Sequence, residues 1–370
     1  MKFLFFTMII LMNQIHMLAK NDKPFLCFSD LISGPSNGNT DKSYADGGAI
    51  VTIWGRNFGE ESNKSYVTIG GLKAVHYYWG KAQIPADLSG KMKMDKISFI
   101  IPNACPSGNN SIILKTERGE SNALNFEVRG GKIYFISVKG NDENGDGSFQ
   151  NPWASLDNVN HTGALSKIKS GDIIYIMDGV KHETIAGDRA SIDLGDPASE
   201  AYPKAIIGYP NAQAYIGSKD IDKSYSLWVS GFGPTVHFTI SNMNLIAKYE
   251  AASMYHGFRL IGNRITAPLG TGPTGAIAGQ GNNLVLMGNE ITEVGFEGCS
   301  KLYHPIYIQS AEACSGERLP TERNRIIAWN YLHDNFSYDG INIYRECGSS
   351  AYMTHHYIHN NLLENQTGCG

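Results

Sequence analysis

The sequence of 370 residues contains no apolar run approaching the ~20 residues that a membrane-spanning helix needs. Positive charge is not in excess either: 31 Lys and Arg stand against 35 Asp and Glu, for a net charge of −4. That balance excludes the basic footprint of a nucleic-acid binder and a polybasic membrane patch. No nucleic-acid partner and no membrane insertion are expected, and an acidic polymer would have to be met by local Lys and Arg. Six cysteines occur, Cys27, Cys105, Cys299, Cys314, Cys347 and Cys369, but no Cys-x-x-Cys pair, so a zinc site is not expected. Long apolar helical runs are scarce, which argues against a helical bundle. With 42% hydrophobic residues, 41 Gly and 19 Tyr, the chain instead suits many short strands separated by turns.

Residues 1–20 are expected to be an export signal. Lys2 gives a minimal positive start, residues 3–12 are apolar, and Ala19 marks a cleavage region, although Met17 is not small. Cys27 lacks the small residues expected before a lipidated cysteine. A secreted, periplasmic or cell-surface location follows as an expectation, and it permits disulfides. Six cysteines allow 15 pairings, of which Cys299 with Cys314, flanking one loop, is preferred.

Residues 29–129 read as one unit of short strands. Ala49-Ile-Val-Thr-Ile-Trp54 alternates and ends at Gly55-Arg56-Asn57-Phe58-Gly59. Ser65-Tyr-Val-Thr-Ile69 closes on Gly70-Gly71. Ile97-Ser-Phe-Ile-Ile101, Ser111-Ile-Ile-Leu114 and Leu124-Asn-Phe-Glu-Val128 follow. This spacing predicts a β-sandwich. The segment from Gly48 to Gly59, with Val67-Thr-Ile-Gly-Gly71 and Ile101-Pro102, resembles the opening of the IPT/TIG immunoglobulin-like domain. The resemblance implies a spacer or binding module rather than a catalytic one. Tyr77-Tyr78-Trp79 is read as an aromatic insert, either sandwich packing or a stacking surface for sugars.

From residue 131 to 370 the pattern changes. Lys132-Ile-Tyr-Phe-Ile-Ser-Val138 leads to Gly140-Asn-Asp-Glu-Asn-Gly-Asp-Gly-Ser148, then Asn151-Pro-Trp-Ala-Ser-Leu156, Ser170-Gly-Asp-Ile-Ile-Tyr-Ile-Met-Asp-Gly179 and Pro203-Lys-Ala-Ile-Ile-Gly-Tyr-Pro-Asn211. This series resembles the first coils of secreted right-handed parallel β-helix proteins of the pectate-lyase type. Further on, the residues repeat. Phe258-Arg-Leu-Ile-Gly-Asn263 aligns with Leu284-Val-Leu-Met-Gly-Asn289, with Ile326-Ile-Ala-Trp-Asn330 and with Ile358-His-Asn-Asn361. The shared Asn positions are 26, 41 and 31 residues apart, as expected of stacked coils carrying loops of different length. Each Asn is expected at a corner, hydrogen-bonding along the stack. A second column is read as Ala276-Ile-Ala278, Ile306-Tyr-Ile308 and Ile341-Asn-Ile343. The fold class is therefore all-β, a β-sandwich followed by a right-handed parallel β-helix. The chain stops at Gln366-Thr-Gly-Cys-Gly370 without a visible cap, so a longer natural chain is expected.

Chemistry is expected on one lateral face late in the solenoid. Lys301, Tyr303 and His304 precede one strand of the second column. His333, Asp334 and Asp339 precede the next, and Arg345 with Glu346 follows it. If neighbouring coils stack about 5 Å apart, these fall on one patch. Breaking a uronate chain by elimination needs a base beside the carboxylate, a cation on it and an acid at the leaving oxygen. Lys301, Tyr303, His304 and Arg345 have those types. Asp334 and Asp339, with Glu346, are instead the types needed for hydrolysis by paired carboxylates. Each residue also has a plain reading, with His304 holding a loop carbonyl, Tyr303 packing, and Arg345 in a surface ion pair. Asp142-Glu-Asn144-Gly-Asp146-Gly147 matches the first half of a calcium loop, but Trp153 stands where the closing acid belongs, so Ca2+ on Asp142, Asn144 and Asp146 competes with an ordinary turn. The expectation is a secreted polysaccharide lyase. A glycoside hydrolase and a non-catalytic glycan-binding or adhesion protein are the alternatives, and the oligomeric state stays open.

Overall fold

A computed structural model describes residues 23–156, 163–183, 190–194, 198–220, 225–228, 236–268, 275–299, 302–310, 324–345 and 353–368. Residues 1–20, expected to be an export signal, and Lys301, Glu346, Cys314, Cys347 and Cys369 lie outside them. The described chain is all-β, apart from one 3-10 turn at Ala164–Ser166.

Two sheets form the sandwich. One has four strands in the order Phe25–Ser29, Gly47–Arg56, Asp95–Pro102, His76–Lys81. The other runs Ser33–Gly34, Leu124–Val128, Gly108–Thr116, Tyr66–Ile69, Leu72–Lys73, with Gly119–Glu120 beside Gly108–Thr116. The first strand thus starts at Phe25, ahead of the boundary read from the sequence. Tyr77-Tyr78-Trp79 is not an insert but the middle of an edge strand. Its rings are used internally: Tyr77 packs on Tyr44 at 4.2 Å, and the Trp79 indole donates to the Gly59 carbonyl at 2.9 Å.

The rest is a parallel β-helix with three strands per coil, one more than the two columns legible in the repeats. The first sheet has eight strands, from Ile133–Ile136 to His356–His359; the second has seven, from Lys181–His182 to Leu362–Thr367; the third has six, from Ala190–Asp193 to Ile341–Tyr344. Parallel crossovers take the right-handed sense. Inward residues stack in register, as in the column Ile174, Ile206, Ile240, Leu260, Leu286, Ile327. In the third sheet Ile277, not Ala276, stands opposite Ile306. That one-residue difference turns Ala278 and Tyr307 outward together.

The corner between first and second sheets carries the asparagine ladder. Asn263 Nδ2 donates to Asn289 Oδ1 at 3.1 Å, Asn289 to Asn330 at 2.9 Å, and Asn330 to Asn361 at 2.9 Å. Each amide also donates to a carbonyl of the preceding coil, Ile240, Leu260 and Leu286 for the first three. Just before each ladder residue the backbone is left-handed, at Gly262, Gly288, Trp329 and Asn360. Gly262 and Gly288 have a second reason to be glycine. A Cβ on Gly262 would lie 2.5 Å from the Trp54 ring, and one on Gly288 would lie 2.1 Å from the Phe28 ring. Both rings belong to the sandwich and stack on each other at 5.1 Å.

The sandwich is therefore docked along the solenoid, not tethered to its end. Ile133, Phe135, Ile173, Tyr175, Ala205 and Ile207 point out of the first sheet into one buried cluster with the sandwich core. The buried Tyr175 hydroxyl donates to the Ile50 carbonyl at 2.9 Å and accepts from the Ile50 amide at 2.6 Å. Arg129, at the boundary, donates to Ser33, to the Gly171 carbonyl and to the Pro203 carbonyl. Asp30 sits inside this interface, accepting from the Leu31 and Thr52 amides and from Asn242 of the solenoid, while Arg259 reaches its carbonyl.

Two outcomes are expected. Gly288→Ala adds a methyl group where Phe28 sits, and overpacking of that kind costs about 1–3 kcal/mol beyond backbone strain. Gly298→Ala has a similar left-handed φ and open space around it, so it reports the strain alone. Urea denaturation in which the two variants lose the same stability would remove the docking explanation. Burial pushes the Asp30 carboxyl up to about 7, against its hydrogen bonds and the Arg259 charge. A folded value above the unfolded one favours folding at low pH, and the gain is lost as pH rises from about 4 through about 7. The stability of the wild type relative to Asp30→Asn should therefore fall over that interval in thermal melts; a constant or rising difference contradicts it.

Candidate functional site

The residues expected on one patch divide between two sheets. His304 and Asp339 belong to the third sheet and the turn leading into it; His333 and Asp334 belong to the second, within Tyr331–Phe336. The turn from second to third sheet spans only residues 337–340, but the side chains leave on different faces.

On the third sheet, inward Ile306, Ile308, Ile341 and Ile343 anchor the strands in the core. The outward alternates Tyr307 and Tyr344, with His304 at the start of its strand, form a row of rings. His304 stacks on Tyr307 at 5.5 Å and 13°, Tyr307 on Tyr344 at 6.3 Å and 25°, and Tyr338 stands edge-on to His304 at 6.5 Å. Within the row only Tyr344, 51% exposed, opens to solvent; His304 and Tyr307 are buried, and Tyr338, edge-on to His304, is 56% exposed. His304 itself is buried, and burial lowers its pKa below the ordinary imidazole value, opposed by the Asp339 charge and main chain. Its Nδ1 is buried without a hydrogen-bond partner among the described residues. Asp339 is held by Asn342 Nδ2 at 3.1 Å. Arg345 follows the strand, exposed, with no acidic partner among the described residues. Tyr303 takes its plain reading: it is buried with the disulfide-bonded Cys299 and packs edge-on to Phe296.

His333 has the opposite character. Its Nε2 meets Glu290 Oε1 at 3.0 Å and its Nδ1 meets Asp334 Oδ2 at 2.7 Å. Asp334, in left-handed backbone, also accepts from Asn365 at 2.9 Å, and these bonds hold its carboxyl below the usual range. Tyr331 stacks on His333 at 4.2 Å and donates to Glu364 at 2.9 Å; burial and that bond push its phenol up to about 12. Both ring nitrogens of His333 face carboxylate oxygens, so both are engaged within the protein. Glu290 and Glu364 were missed in the sequence. The signal was parity: outward positions flank Ile291, Leu332 and Leu363, and the register sets Glu290 against Tyr331 and His333 against Glu364.

Residues 36–128 match the IPT/TIG domain. No curated protein and no solved structure matches the chain. The IPT/TIG domain reaches the His333 cluster directly. The Asp87 amide donates to Glu290 Oε2 at 2.7 Å, and Lys91 pairs with Glu364 at 2.6 Å. The cluster therefore pins a loop of the IPT/TIG domain to the second sheet.

The calcium loop uses its oxygens otherwise. Asp142 accepts from the Ala154 and Ser155 amides and from the Ser155 hydroxyl, its carbonyl takes Lys167 Nζ at 2.6 Å, and Asp146 accepts from the Ser148 amide. Asn144 offers its carbonyl to Asn151. This is a turn locked by its own side chains, and among the described residues no group of three or more His, Cys, Asp or Glu could hold a metal ion.

His333→Ala strands Glu290 beside the domain seam, and loss of a partner for a buried acceptor costs about 1–3 kcal/mol. The variant should unfold at lower urea. A variant of unchanged stability would contradict the role of His333 as a brace.

Proposed function

We propose that this protein is exported, binds an acidic polysaccharide along the ring row of the third sheet, and cleaves it by β-elimination with His304 as the base. The observation that carries this reading is the buried Nδ1 of His304, unpartnered among the described residues, at one end of the row His304, Tyr307, Tyr344. Aromatic faces stack on the apolar faces of sugar rings. A base must keep a lone pair near neutral pH, and burial keeps this imidazole neutral. In the elimination, His304 takes the proton beside the uronate carboxylate, the carbon–oxygen bond to the next sugar breaks, and the departing oxygen is protonated. Tyr338, edge-on to His304 and exposed, is assigned as that proton donor. Arg345 is assigned to the carboxylate, whose neutralisation makes the proton acidic. Paired-carboxylate hydrolysis fits less well, because Asp334 is tied to His333 and Asn365 while Asp339 stands on another sheet. The ring row also suits plain glycan binding, the second reading.

Alginate, pectate and glycosaminoglycans should be offered in parallel, with ultraviolet absorbance of unsaturated ends and reducing sugar both followed. Absorbance should rise on one of them and fall by about 10²-fold or more in His304→Ala, the scale of a general base. Its rate should hold from alkaline to neutral pH and drop only below the ordinary imidazole range. Reducing ends without absorbance mean hydrolysis; binding without either product means the glycan-binding reading.

A further inference from the structure

The docking seam does not close evenly. At successive coils its left-handed corner is Gly262, Gly288, Trp329 and Asn360. The first two are covered by Trp54 and Phe28. At the third the chain places a tryptophan in a backbone conformation that costs a bulky residue about 1–2 kcal/mol. Here the sandwich offers Arg56, its guanidinium 5.4 Å from the centre of the Trp329 ring. Beside this pair lies a depression of about 260 Å3 between the two domains, lined by Arg56, Lys91, Met92, Trp329, Asn360 and Leu362 among others.

Its chemistry is one-sided. No acidic residue lines it. Arg56 pairs with no carboxylate among the described residues, and its described side-chain contact is the Trp329 ring. Lys91 brings a second cation, of which one donor is used on Glu364. Asn360 is exposed, and its side-chain amide is not engaged among the described residues. Met92 and Leu362 add apolar surface. Two cations, an amide and an apolar wall around a small volume match a single ring bearing a carboxylate. The volume falls below the ~300–1,000 Å3 of sites that take drug-sized ligands, so one sugar unit fits the scale rather than a chain.

We propose that this seam depression binds a carboxylate-bearing sugar unit, with Arg56 on the carboxylate and Asn360 and Lys91 on the remaining oxygens. The choice of a sugar acid rests on the polysaccharide reading above; the site does not depend on His304. It makes the IPT/TIG domain half of a composite site, and ligand bound there holds sandwich and solenoid together.

The test titrates galacturonate and glucuronate, with glucose as the neutral control, into the full chain and follows tryptophan fluorescence. A saturable change is expected with a uronate and not with glucose. It should weaken by at least about tenfold in Arg56→Ala, the loss of one hydrogen-bonded charge, and be spared in Tyr344→Ala. Arg56→Lys, which keeps the charge and loses the planar fork, should weaken it less. An equal response in Arg56→Ala, an equal response to glucose, or loss in Tyr344→Ala instead overturns the inference. Silence here while His304-dependent elimination persists overturns the seam site alone; silence in both assays overturns the polysaccharide reading with it.

Discussion

Burial of both faces of the first solenoid sheet, all but its last strand, is the constraint on which the rest of the molecule depends. Inward residues such as Ile174 and Ile206 fill the helix core, while their alternates Ile173, Tyr175 and Ile207 meet the sandwich. A parallel sheet covered on both sides reads as near-continuous hydrophobic sequence, as Ile173-Ile-Tyr-Ile176 does. Such a sheet cannot present ligands. Docking thereby leaves the second and third sheets as the faces where chemistry is open to solvent.

Docking also puts polar groups where water is excluded, and several of these are matched across the interface. Tyr175 serves both main-chain groups of Ile50, Arg129 gathers three carbonyls and a hydroxyl, and Asp30 collects amides from both domains. Unmatched, each would cost about 1–3 kcal/mol. The asparagine ladder performs the same service along the solenoid axis. It frees the loops between strands to vary in length, since register is kept at the corner rather than by the connections.

Histidine chemistry separates by environment. His333 is bonded through both nitrogens and acts as a brace between domains. His304 is buried beside a row of rings, its Nδ1 unpartnered among the described residues. The two residues are of one type and sit one coil apart, and their hydrogen-bond partners assign them different work.

Much of this was legible in the residues. Alternating strands announced the sandwich, the Gly48–Gly59 segment carried the IPT/TIG resemblance, and spacing of Asn263, Asn289, Asn330 and Asn361 announced stacked coils and their ladder. These are local signals, set by the pleat and by one repeated corner. What was not legible depends on contacts between residues far apart in the chain. Whether Ala276 or Ile277 faces Ile306 is a one-residue choice that composition does not make. Nothing near Gly288 in sequence tells that Phe28 will cover it. The sequence by itself determined an all-β chain of two kinds of unit and the residue types available for chemistry. Only the tertiary structure decided that the units share a core and that His304 and His333 stand apart, because burial and hydrogen-bond partners come from neighbours in space.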